Sequence, residues 1–262
     1  MIRKYLAFFR ACWAISLEYR AEGFVWMLTN LLSIIMMLVW LSLSSAGPVA
    51  GFTSGDFVAY YMVGLIVRHM TGAWTSFDLD TSIREGTLSP QLVRPIHPVH
   101  WYVAANWSEK ATRLGILLPL VALAFVLTPS AHLDVTPVSV GAFLLSLVGA
   151  WLVSFLSDYM IGILSFWTSQ TAAFNQVMWG LKLVLSGILA PIQMFPPAVQ
   201  VVLDWLPFRY MLAFSNEIAL GQTQGERLLF GLVVQWAWVA FFFLLTRLMW
   251  KLGTRSYSAV GA

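Results

Sequence analysis

"GFVWMLTNLLSIIMMLVWLSLSSAGPVAGFTSG", residues 23–55, runs from Glu22 to Asp56 without one charged side chain. A helix crosses the hydrocarbon core of a bilayer on about 20 predominantly apolar residues, and this stretch supplies more than that. The rest of the chain agrees. Hydrophobic residues make up 59% of the 262 and charged residues 10%, against about 25% charged in ordinary soluble domains. Too little polar surface exists to coat a soluble globule, so the sequence predicts an all-α integral membrane protein.

Thirteen Trp and eight Tyr suit that class, because amphipathic rings collect where headgroups meet acyl chains. A single cysteine, Cys12, excludes an internal disulfide and a Cys-rich metal site. "SLSSAG", residues 42–47, has the small residues of a signal cleavage site, but more than twenty residues precede the first apolar run and that run is long enough to span. It reads as a retained first span.

Apolar runs place six transmembrane helices at about 24–46, 57–79, 112–130, 137–162, 168–190 and 228–250. No soluble domain fits between them, so residues 1–262 read as one transmembrane domain. The border between the fourth and fifth is marked only by "TSQTAAFNQ". Arg3, Lys4, Arg10 and Arg20 precede the first span, Arg84, Arg94, Lys110 and Arg113 lie between the second and third, and Arg247, Lys251 and Arg255 close the chain. Segments 47–56 and 131–136 hold no Lys or Arg. Lys and Arg gather in cytoplasmic loops, which puts both termini, including the 251–262 tail, on the cytoplasmic side of the cell membrane.

Residues 1–22 set Leu6, Phe9, Trp13 and Leu17 on one helical face, with Arg3, Lys4, Arg10 and Glu18 mostly elsewhere. That pattern predicts an amphipathic helix lying along the inner leaflet. Between the fifth and sixth spans, residues 191–227 are apolar yet interrupted by Pro191, Pro196, Pro197 and Pro207 and by Asp204 and Arg209. Proline inside a helix costs about 3 kcal/mol, and irregular backbone at membrane depth survives only when covered by protein or lining a wet cavity. Two short re-entrant helices dipping from the outer face, around Pro191, Phe195, Pro196 and Pro207, meet both conditions. Arg209 and Arg227 are then external, available to anionic headgroups or simply solvated.

The search for chemistry is mostly negative. A phosphate-cradling P-loop needs a Gly-Lys pair followed by Ser or Thr, and the chain contains no Gly-Lys dipeptide. No HExxH occurs, and Pro95 and Pro98 deny His97 and His100 the helical geometry a ligand pair would use. "LSG", Leu185–Gly187, places a serine beside glycine without a base and reads as close helix packing. Four ionisable groups inside predicted spans carry more information: Arg68 and His69 near the middle of the second, Asp158 near the inner end of the fourth, and Lys182 within the fifth. A charge at the bilayer centre costs about 2.5–3.5 kcal/mol on insertion scales. These groups either pair structurally, Arg68 or Lys182 with Asp158, or line a substrate path.

"IREGTLSPQLVRPIHPVHWYV", residues 83–103, departs from its surroundings by carrying charges, prolines and histidines. Gly86 permits a positive φ, and the prolines fix their own φ and stop helices. The stretch predicts a short, stiff cytoplasmic knob between spans two and three.

At these residues the sequence resembles the membrane subunits of type-2 ABC exporters. Arg84, Gly86, Leu88, Leu92, Arg94 and Pro95 fall in the roles of that family's cytoplasmic element after the second span. "SGILAPIQMFP", "LPFRY" and "IALG" are similar to its fifth span and external re-entrant helices, at Ser186, Gly187, Pro191, Phe195, Pro196, Leu206, Pro207 and Gly221, and "GTRSYSAVGA" to its ending. The resemblance implies a permease that pairs with an identical or paralogous permease and rests on two ABC ATPase subunits. ATP and Mg would sit on those subunits, with no cofactor on this chain and no nucleic-acid partner. It further implies that Ile83, Arg84, Glu85, Gly86, Thr87, Leu88, Leu92, Arg94 and Pro95 form the coupling element received by the ATPase. The N-terminal surface helix would lie near the ATPase too.

The expected activity is ATP-driven export of an amphipathic or hydrophobic substrate, a lipid, glycolipid or drug-like molecule, with no catalysis on this chain. The competing expectation is a gradient-driven carrier that uses Arg68, His69, Asp158 and Lys182. Such carriers often break helices in both halves, whereas the proline-broken region occurs once here. An embedded enzyme would need a constellation that the sequence does not hold.

Overall fold

The structure is a computed structural model that describes residues 9–10, 13–14 and 31–257. The amphipathic helix expected over 1–22, the start of the first span and the last five residues lie almost wholly outside the described residues. What is described is helical, with no strand among the described residues.

The described part of the expected first span is α1, Leu31–Ser44, an apolar helix of 14 residues. Next comes α2, Ser54–Thr71, opened by a capping box in which Thr53 accepts the Asp56 amide and the Asp56 carboxylate accepts the Thr53 amide at 2.8 Å. The second span expected over 57–79 is not one helix. The chain leaves helical geometry at Gly72 and restarts as α3, Thr75–Arg84. The carbonyl of Gly72 that this break exposes accepts from Asn106 Nδ2 at 3.1 Å and from Lys110 Nζ. Side chains of the helix Val99–Leu127 thus replace the missing intrahelical bond.

After α4, Ser89–Leu92, the helix α5 covers Val99–Leu127 and so begins thirteen residues ahead of the expected third span. It bends by 41° between Val99–Gly115 and Leu117–Leu127. Pro119 lies inside it, and a proline ring clashes with the carbonyl four residues back, here that of Gly115. Helix α6, Pro137–Ile163, fits its expected limits, with Thr136 capping the Ser139 amide and Pro137 at the first turn. A short 3-10 turn, Leu164–Phe166, ends it.

Helix α7, Thr171–Leu185, is shorter than the 168–190 expected. Gly187 stops it, with φ +91°, a region open to glycine at little steric cost. From there the backbone is irregular until α8, Pro197–Leu203, and α9, Ala213–Ala219, the two short helices of the proline-broken segment. Pro191 and Pro196 sit just ahead of a 3-10 turn at Ile192–Met194 and of α8, with Phe195 between those two elements. Pro207 lies in the turn that leads to a second 3-10 piece, Arg209–Met211. The last helix, α10, spans Gly225–Ser256. Its 32 residues reach about 48 Å at 1.5 Å per residue, well beyond the hydrocarbon.

Among the described residues, Pro137–Phe166 and Gly225–Ser256 are long and apolar enough to cross a membrane, and the bent α5 makes a third if taken as one span. The molecule is a multi-pass α-helical membrane protein. Helix α6 is its axis, packed against α10, α3, α2 and α9. Gln235 on α10, fully buried, donates to the carbonyls of Ser146 and Tyr210, both at 3.0 Å, and so ties α10 to α6 and to the segment before α9.

The irregular run after α7 has its polar backbone met from outside. Tyr60 OH donates to the Gly187 carbonyl at 2.9 Å, and Tyr61 OH and Trp40 Nε1 donate to that of Leu189 at 2.8 and 3.0 Å. The Ala213 amide donates to the Ser186 carbonyl at 3.1 Å. Arg209 corrects the expectation of a headgroup contact or a solvated rim: it pairs with Asp204 and, at 2.6 Å, with buried Glu217. Arg227 is exposed.

Losing the donor at Tyr60 strands a buried carbonyl, which costs about 1–3 kcal/mol. Tyr60→Phe is therefore expected to lower the thermal midpoint of the detergent-purified protein. Gly187→Ala should lower it at least as far, since φ is positive there and the new Cβ would meet Tyr60 OH and the Ala213 side chain.

Candidate functional site

Two features stand out. The first is a cavity of about 650 Å³ walled by α1, α2, α5, α6, α7 and the Gly72–Trp74 break. All four ionisable groups that the sequence placed inside spans, Arg68, His69, Asp158 and Lys182, line it. Arg68 and His69 lie in the last turn of α2 rather than mid-span. Glu109, Lys110 and Arg113, expected in or beside a cytoplasmic loop, line it as well because α5 starts early and presents them along its length. Leu183, Trp179, Met178 and Leu212 supply apolar wall.

The bonding of these groups is uneven. Asp158 is buried and accepts from the Ser76 amide at 2.9 Å and from Ser76 Oγ at 3.0 Å. It forms no ion pair with Arg68 or Lys182 among the described residues. Glu109 pairs with Arg113 one turn on. Among the described residues Arg68 donates to Ser33 Oγ at 3.1 Å and Lys110 to the Gly72 carbonyl, and His69 Nε2 is buried without a hydrogen-bond partner.

The second feature is the Ile83–Pro95 knob, which has two faces. Ile83 and Leu88 are buried in the largest core cluster, together with Tyr102, Val153, Tyr159 and Phe242. Arg84, Glu85, Thr87, Leu92, Arg94 and Pro95 are exposed, and Gly86, with φ +75° and open space around it, makes the turn between the faces. An aromatic layer lies beneath: Tyr159 and Phe166 both pack on Trp250, at 5.8 and 5.7 Å, and Phe166 packs on Tyr257 at 5.6 Å. Tyr257 OH lies 3.2 Å from Ser89 Oγ, which joins the end of α10 to the knob. His97 stacks on Trp250 with ring centroids 4.8 Å apart.

Asp80 anchors the knob to the connection between α6 and α7. Its Oδ1 accepts from Ser165 Oγ at 2.6 Å, Thr171 Oγ1 at 2.7 Å and Arg84 Nε at 2.8 Å, and Arg84 also donates to the Ser169 carbonyl at 2.6 Å. Partial burial pushes the Asp80 carboxyl upward, but these three donors outweigh it and hold the group below the usual carboxylate range.

A profile described as "ABC-2 family transporter protein" matches residues 24–261, nearly all of the chain. The chain belongs to this family. It is accordingly the permease component of an ABC transporter, as the resemblance at the knob and the re-entrant segment implies. No curated protein matches it. Within this ABC-2 protein the structure adds residues that the sequence reading passed over. Val93, 84% exposed, stands at the knob's tip between Leu92 and Arg94, and an apolar side chain in so polar a loop was a legible signal. Lys110 and Arg113 read as loop charges in the sequence, although the four-residue spacing of Arg113 from Glu109 is helical. Glu217, the buried partner of Arg209, carried no such signal, since only the fold brings the two together.

The Asp80 anchor gives a pH expectation. Because the folded-state pKa is depressed, its contribution is complete above the ordinary carboxylate range and is lost as pH falls through the folded value. The knob's amides are expected to exchange slowly at neutral pH and faster in acid, and Asp80→Asn should give the fast pattern already at pH 7 in a hydrogen-exchange measurement.

Proposed function

We propose that this ABC-2 protein is the permease subunit of an ATP-driven exporter. It has six spans in the cytoplasmic membrane with both termini on the cytoplasmic side, and it moves an amphipathic or hydrophobic substrate. Two ATPase subunits supply the energy and hold ATP and Mg, and a second permease copy or paralogue completes the conduit. The stroke enters at Ile83–Pro95.

The observation that carries this reading is the construction of the knob. Its inner face, Ile83 and Leu88, is buried among residues of α3, α6 and α10. A close-packed interior transmits displacement rather than absorbing it, so a push on the knob moves those helices together. Its outer face offers Leu92, Val93 and Pro95 beside Arg94, an apolar centre with an arginine, which is the composition favoured at protein interfaces. Binding energy on the ATPase side shifts the permease only if its two states present that face differently.

The gradient-driven alternative draws on the gathering of Arg68, His69, Asp158 and Lys182 around one cavity. Family membership weighs for ATP. Both readings meet in one experiment with the ATPase that copurifies from native membrane. Val93→Asp and Arg94→Glu change exposed side chains, so the expected outcome is unchanged thermal stability, at least tenfold weaker retention of the ATPase and loss of ATP-driven transport. Normal coupling in both variants, or uphill transport by the isolated subunit on an ion gradient without nucleotide, would defeat the proposal.

A further inference from the structure

The cavity between α2, α5, α6 and α7 carries an excess of positive side chains among the described residues. Four cationic side chains, Arg68, Lys110, Arg113 and Lys182, line it against two carboxylates, Glu109 and Asp158. Glu109 is engaged with Arg113 and also acts on Lys110, and Asp158 takes its hydrogen bonds from Ser76 and acts on Lys182 without a direct ion pair. Among the described residues Arg68 donates to Ser33 Oγ and Lys110 to the Gly72 carbonyl, both neutral acceptors. Two carboxylates do not balance four cations, and a buried charge is retained at bearable cost only when something opposite meets it.

We infer that this cavity is a binding site for an anionic amphiphile, a phosphate or carboxylate head joined to an apolar body, and that Arg68, Lys110 and Lys182 receive the head. The head offsets the excess positive charge, and its oxygens can accept from the guanidinium of Arg68 in the forked geometry that planar donor favours. The unpartnered His69 Nε2 is a further polar contact at the same wall. The apolar body lies against Trp179, Leu183 and Leu212. A volume of about 650 Å³ falls within the range of sites that enclose a small ligand, about 300–1,000 Å³. It therefore holds a head with part of a chain rather than a whole two-chain lipid. This inference rests on the permease reading and narrows its cargo from any amphiphile to an acidic one.

The test uses the purified full-length subunit in a neutral detergent, with no ATPase present, and three probes: a lysophosphatidic acid, the monoacylglycerol of the same chain length, and inorganic phosphate. The expected result is that lysophosphatidic acid binds at least tenfold more tightly than either of the others and raises the thermal midpoint. Lys182→Met should weaken that binding at least tenfold, because it removes a cation that faces the head from a site of nearly the same volume. The charge-conserving pair Arg68→Lys with Lys182→Arg should bind the acid within a few-fold of the unaltered protein, which separates charge from damage to the fold. Equal binding of the uncharged lipid, equal binding of phosphate alone, or unaltered binding by Lys182→Met overturns the inference. Because no nucleotide or ATPase enters, a failure here leaves ATP-driven transport of a neutral amphiphile intact. Failure of ATP coupling likewise leaves this binding result standing.

Discussion

Hydrocarbon provides no hydrogen bonds, so every backbone or side-chain polar group carried into the membrane must find its partner within the protein. Each irregular feature of this chain can be traced to that demand. Where α7 stops at Gly187 and the backbone unwinds, Tyr60, Tyr61 and Trp40 reach across from α2 and α1 to bond the freed carbonyls. Where α2 stops at Gly72, Asn106 and Lys110 of α5 do the same. The breaks are therefore joints with assigned partners, and the helices that supply those partners are fixed in place by doing so.

The same demand organises the end of the bundle that carries the knob. Asp158 is buried on α6 because the first turn of α3 offers it an amide and a hydroxyl from Ser76. That contact docks α3 on α6 and sets where the knob emerges. Asp80, one turn before the knob, gathers Ser165, Thr171 and Arg84 and ties the knob to the turn between α6 and α7. The aromatic layer of Tyr159, Phe166, Trp250 and Tyr257 closes the region from the α10 side. A segment that looked like a loop in sequence is in fact braced by three helices. Such bracing is what the proposed transmission through the exposed tip requires.

The cavity is one place where the demand is left partly unmet, with His69 Nε2 buried there without a hydrogen-bond partner among the described residues. Its lining holds four cationic side chains against two carboxylates. Proteins keep such imbalances where another molecule completes them, and perturbed, concave, mixed polar and apolar sites are where ligands bind. A cavity with more cations than carboxylates also argues against a purely apolar lining. In the function proposed above the two features divide the work, with the knob facing a protein partner and the cavity facing cargo.

The class of the molecule was legible in the uncharged run of residues 23–55, and the family in Gly86, Arg94, Pro95 and the prolines after Gly187, because composition and turn chemistry are local properties. The limits of α6 were legible for the same reason, since Thr136 and Pro137 mark its start in sequence. The break at Gly72 was not, because the partners that make it tolerable, Asn106 and Lys110, lie more than thirty residues away. Nor was the early start of α5, which turned presumed loop charges into cavity wall. The sequence by itself determined that this chain enters a membrane and that some of its apolar runs carry ionisable residues. Only the tertiary structure decided which of those charges are answered and which stand open, because pairing depends on distances between helices that no local pattern encodes.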